Sequence, residues 1–122
     1  MSSAVLGAST AVEADAPSIN LEDLFARCMG SLDLVERVLN AFEQRFEQDL
    51  AELEVLGANS QLLQVRKTAH RMKGGAANVA AAALTRHLAE IEAQAETGQA
   101  ERVGEAMKRL RREWKRFLES LG

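Results

Sequence analysis

An all-α fold, an antiparallel up-down four-helix bundle with a short N-terminal cap helix, is the architecture that three features of this sequence predict. Only one proline, Pro17, occurs in 122 residues, so nothing beyond it forbids long helices. The apolar residues make up 47% of the chain and are mostly Ala, Leu and Val, with 4% aromatics and no Tyr, a composition that leans to helices. From residue 20 onward apolar positions recur at steps of three and four, in segments joined by loops of a few residues, and short loops make neighbouring helices antiparallel. The length suits one domain with a single core.

Residues 1–19, rich in Ser and Ala, read as a flexible arm, and 20–122 as the bundle domain. The first helix starts at Asn20, an N-cap residue with Glu22 and Asp23 in the turn where acids favour the dipole. It runs through Leu21, Leu24, Phe25 and Cys28 and stops at Gly30, after which Ser31 is a second cap. The second helix carries one stripe, Val35, Val38, Leu39, Phe42, Phe46, Leu50 and Leu53. Gly57-Ala58-Asn59-Ser60 ends it and offers a cap to the third. There Leu62, Val65, Ala69, Met72, Ala76 and Val79 alternate steps of three and four. Asn78 reads as the structural turn residue, since Asn tolerates the left-handed conformation and can cap a following helix. The fourth helix buries Leu84, Leu88, Ile91 and Ala95 and closes at Thr97-Gly98; the fifth buries Val103, Met107, Leu110, Trp114, Phe117 and Leu121.

Charge is unevenly spread. The net charge is −3, yet from Gly57 to Ala89 there is no acid, while Arg66, Lys67, Arg71, Lys73 and Arg86 supply five cations. Such a run suits an acidic partner or a phosphoryl group. The acidic total and scarce aromatics speak against nucleic acid. Two histidines and one cysteine do not make a metal site, and neither a Walker-type loop nor a nucleophile–base–acid set for an independent enzyme is visible. The single Cys28 excludes an internal disulfide, reads as core packing and fits a reducing compartment. With no signal-peptide pattern and no membrane span, a cytoplasmic protein without membrane attachment is expected. A monomer is expected too, although periodicity leaves dimerisation through an exposed helix face open.

The chemistry concentrates in Ala69-His70-Arg71-Met72-Lys73-Gly74-Gly75-Ala76-Ala77-Asn78. Residues three and four apart on a helix are neighbours, so His70, Lys73 and Gly74 form one small site, about 100° around from the buried stripe. A nucleophile, a cation and a gap for a partner's backbone suit phosphoryl transfer through histidine. Arg66, Lys67, Gly74 and Ala77 share the side of His70, and Arg71 adds charge. His87 reads as a half-buried packing residue of the fourth helix.

The pattern Ala69-His70-x-x-Lys73-Gly74, then Ala77-Asn78-Val79, Leu84 and Ile91-Glu92, with Met29-Gly30-Ser31-Leu32 and Phe42 upstream, resembles histidine-containing phosphotransfer (HPt) domains. The similarity spans roughly residues 20 to 120. It implies a four-helix bundle relaying a phosphoryl group between aspartates of receiver domains, on response regulators or hybrid histidine kinases, in two-component phosphorelays. On that resemblance His70 is the phosphorylated residue, Lys73 stabilises the phosphoryl charge, and Gly74, Arg66, Lys67, Arg71 and Ala77 meet the receiver. The chain would be a phosphocarrier and no enzyme in itself. It would bind no cofactor, and magnesium would sit on the receiver. The alternative is an adaptor that binds a receiver or another acidic partner without accepting phosphate. Two departures stand out: Ala80 occupies a position usually held by glycine, where a positive φ would cost roughly 1 kcal/mol, and Gly75-Ala76 stand where serine is frequent. Asn78 or Gly75 could carry the strain, and some fraying at the end of the third helix is expected.

Overall fold

The computed structural model describes residues 18–121, which form five α-helices and no strand. These are α1 (Leu21–Arg27), α2 (Leu32–Ala58), α3 (Leu62–Asn78), α4 (Ala82–Glu96) and α5 (Ala100–Leu121). Consecutive helices from α2 to α5 pack on one another, α5 returns to α2, and α1 packs against α2. The largest interface joins α3 to α4. None of the helices described is long and apolar enough to cross a membrane.

The predicted stripes point inward. Val65, Ala69, Met72, Ala76 and Val79 are buried from α3 and its cap, Leu84, Leu88, Ile91 and Ala95 from α4, and Val103, Met107, Leu110, Trp114 and Phe117 from α5. From α2, Val35, Phe46, Leu50 and Leu53 are buried, with Val38, Leu39 and Phe42 packed at the margin; Leu62 and Leu121 are also marginal. Cys28 lies in the core, as its apolar neighbours Leu24 and Ile19 do. An aromatic cluster closes the space between α2 and α5: Trp114 stacks on Phe46 at 4.2 Å and on Phe117 at 5.2 Å between ring centroids.

Helix starts follow sequence reasoning in two cases. Asn20 Oδ1 accepts from the Asp23 N–H at 3.0 Å, and Ser31 Oγ from the Leu34 N–H at 3.1 Å. The third start differs. Gln61 occupies the N-cap of α3 and gives no side-chain bond. The stretch Gly57-Ala58-Asn59-Ser60 ends α2 as expected but supplies no cap to α3, and its last residue, Ser60, has φ 54°.

Helix ends share one device. The N–H of Gly30, Gln61, Ala81 and Gln99 each reaches back five residues, to the carbonyls of Phe25, Leu56, Ala76 and Gln94. This is the Schellman closure, whose penultimate residue is left-handed. Here Met29 (φ 56°), Ser60 (φ 54°), Ala80 (φ 59°) and Gly98 (φ 74°) take that place. Asn78 is therefore not the turn residue: it is the last residue of α3, and the reversal falls on Ala80. Nor do Gly74 and Gly75 fray α3, which is continuous to Asn78.

The predicted arm lies outside the described residues except for Ser18 and Ile19, and these two are buried. Ser18 Oγ donates to Glu113 Oε2 at 2.7 Å, and the Asn20 N–H donates to the Ala80 carbonyl at 3.0 Å. The chain is thus fastened to the α3–α4 turn and to α5 before α1 begins.

Candidate functional site

With Ala69 and Met72 turned into the core, helical geometry sends His70 outward. Its side chain is 68% exposed. From α4, Glu92 reaches across and engages two residues of α3. His70 Nδ1 lies 2.8 Å from Glu92 Oε2, and Lys73 Nζ donates to Glu92 Oε1 at 2.7 Å. Glu92 itself is mostly covered, its side chain 18% exposed. The hydrogen bond from Lys73, and after it the one from His70, hold the Glu92 carboxyl below its ordinary value although partial burial pushes it up.

The partner decides the tautomer. An ionised carboxylate only accepts hydrogen bonds, so the imidazole proton sits on Nδ1 and the lone pair on Nε2. Nε2 is the atom turned away from Glu92, with a lone pair open to an electrophile. Lys73 has three donor hydrogens and spends one on Glu92. Beside them, a side chain at Gly74 would meet nothing within 4 Å. The site is a fixed imidazole, a cation and an open approach.

A family model for the Hpt domain matches residues 37–121, well over half of the chain. The chain belongs to the Hpt domain family. Hpt domains are helical phosphocarrier modules, so the Hpt domain described here takes part in histidine phosphotransfer of two-component phosphorelays, a family whose usual partners are receiver domains. No curated protein and no solved structure matches it.

The other predicted positions of this Hpt domain divide. Arg66, partly buried, and Lys67, exposed, lie one turn before His70, and neither has an ion-pair partner among the described residues. Ala77 is exposed one turn after Gly74 and borders a groove of about 420 Å³, walled by Asp23 and Arg27 of α1 and floored by Ala82, Thr85 and Ala89 of α4. Arg27 Nη1 donates to the Ala77 carbonyl at 2.8 Å, tying α1 to the end of α3. Arg71 departs from expectation. It turns toward α2, where its Nη2 donates to Asp49 Oδ1 at 3.1 Å, because the residue after His70 is a further 100° around the helix.

His87 is half-buried and faces α5. Burial lowers its pKa from 6.5, with Glu113 opposing. Glu92 is the residue whose part in the site sequence reasoning missed, since the family pattern includes it without a role. A usable signal existed, because His70 and Glu92 each stand about three turns from Ala80 and so meet across the hairpin.

Proposed function

We propose that this Hpt domain carries a phosphoryl group on Nε2 of His70, between aspartates of receiver domains. The observation that supports the reading best is the bond that His70 Nδ1 donates to Glu92, which leaves an exposed Nε2 with a free lone pair. In line with the aspartyl phosphate of a docked receiver, Nε2 forms an N–P bond as the acyl O–P bond breaks. The return step charges a second receiver.

Such transfer needs position and charge more than covalent help. Lys73 meets the phosphoryl oxygens with its remaining donors, Gly74 leaves room for the receiver backbone, and Arg66 and Lys67 draw an acidic partner. Magnesium belongs to the receiver's own acids. On the same reading α2 to α5 are an up-down four-helix bundle capped by α1, acting as a monomeric cytoplasmic carrier with no catalysis of its own.

The test is intact-mass spectrometry after mixing the chain with phosphorylated receivers and magnesium, beside His70→Gln. A base-stable, acid-labile gain of one phosphoryl group in the wild type alone is the expected result. Binding without any gain would overturn the carrier reading in favour of an adaptor.

A further inference from the structure

Glu92 does more than aim the ring before transfer. The phosphorylated imidazole bears the phosphoryl group on Nε2 and a proton on Nδ1, so the ring is cationic. If that proton leaves, the N–P bond can break only by expelling imidazolate, a poor leaving group. If it stays, the bond breaks to neutral imidazole.

We propose that Glu92 holds the Nδ1 proton on phosphorylated His70, so that the phosphoryl group always departs from a neutral imidazole. The inference rests on the phosphohistidine reading above. Glu92 acts through His70 and never touches phosphorus; it is a positioning residue for the return step. The balance is complete. In loading, the Nε2 pair forms the N–P bond and the acyl O–P pair stays on the receiver carboxylate. In return, a receiver carboxylate oxygen takes the phosphorus, the N–P pair goes back to Nε2, and the Nδ1 proton never moves.

The geometry carries this. The carboxylate lies 2.8 Å from Nδ1 and is itself largely shielded from water, which strengthens its hold on a cation. Lys73 anchors the opposite oxygen at 2.7 Å, so Glu92 does not swing away. The other charges on this side are Arg66 and Lys67 one turn earlier on α3 and Glu96 one turn later on α4. From α2, Asp49 is engaged by Arg45 and Arg71 and does not compete for the ring.

The test loads the full chain with potassium phosphoramidate, a small phosphoryl donor that bypasses the receiver, with His70→Gln identifying the modified histidine. Nitrogen-15 NMR then follows the Nδ1 proton of the phosphorylated ring against pH. In Glu92→Gln the proton is lost about one pH unit or more below the wild type. Return transfer to a receiver stays flat through the neutral range in the wild type and falls about tenfold per pH unit in Glu92→Gln once the proton is gone.

Equal proton loss in wild type and Glu92→Gln would overturn the inference, and so would matching pH profiles. If Glu92→Gln does not fold, Glu92→Asp, which withdraws the oxygen by one methylene, must shift the same way. A wild type that loads from phosphoramidate but exchanges with no receiver sinks the carrier function instead, and the ring measurement still decides the role of Glu92.

Discussion

Two carboxylates grip α3 from opposite sides, and the difference between them separates chemistry from support. Asp49 of α2 takes Arg45 at 3.2 Å and Arg71 at 3.1 Å. Glu92 of α4 takes His70 and Lys73. Each carboxylate is mostly covered and each meets two basic groups. Asp49 is matched by two guanidiniums that never lose their charge, so it fastens α2 to α3. Glu92 is matched by an imidazole whose other nitrogen stays exposed. Consecutive residues, His70 and Arg71, are thereby committed to different tasks by 100° of helix.

The largest effect that could break this contrast concerns the two glycines. Gly74 opens on the Glu92 side with nothing within 4 Å, whereas a side chain at Gly75 would touch Phe42 at 3.9 Å. Gly74→Phe should fold normally and slow transfer from a receiver by roughly a hundredfold, through lost approach alone. Gly75→Ala should raise stability by a few tenths of a kcal/mol, in the helix-propensity direction, and leave transfer within about twofold. Phosphotransfer rates beside thermal melting measure both.

Next in size, Asp49→Asn should cost about 1 kcal/mol in urea unfolding, a modest figure because both arginines are half-exposed and screened. Transfer should hold within about twofold. A large drop in transfer would mean that the α2 side belongs to the site after all.

Ala80→Gly comes third. A left-handed alanine is strained, and glycine relieves that at an entropic cost, so a gain of about 0.5 kcal/mol is expected, with transfer unchanged.

The smallest effects are those of pH on stability. The Glu92 carboxyl titrates below 4.5 in the folded chain, so its contribution is full above 4.5 and disappears as pH falls through the lowered value. His87 titrates below 6.5 because burial disfavours its charged form. The unfolded chain therefore binds its proton first, and stability is full above 6.5 and falls as pH drops below it. Urea titrations across pH should lose the upper step in His87→Gln and the lower one in Glu92→Gln.

Helix faces were legible in the sequence because burial repeats at helical spacing, and that alone placed His70 outside and beside Lys73 and Gly74. Helix ends were less legible. Glycine and asparagine were the expected stops, yet of the five left-handed positions only Gly30 and Gly98 are glycines, and the others are Met29, Ser60 and Ala80. There the backbone bonds of the Schellman closure outweigh the strain in each side chain, which no residue preference announces. The partner of His70 was hidden for another reason. Glu92 stands 22 residues away on another helix, and only the register of the hairpin brings it near. Ser18 and Ile19 looked like arm because what holds them, the bond of Ser18 to Glu113 and the core around Ile19, is built by residues far along the chain.

The aromatic cluster gives the molecule a built-in optical reporter. Trp114 is its single tryptophan, is 1% exposed, and donates its indole N–H to Glu47. It belongs to the layer between α2 and α5, whereas His70 meets Glu92 along the seam of α3 and α4. Indole fluorescence will therefore follow unfolding and stay quiet when a receiver settles over the histidine. One unlabelled sample can report its own folding while a second signal, carried by the receiver, counts the encounters.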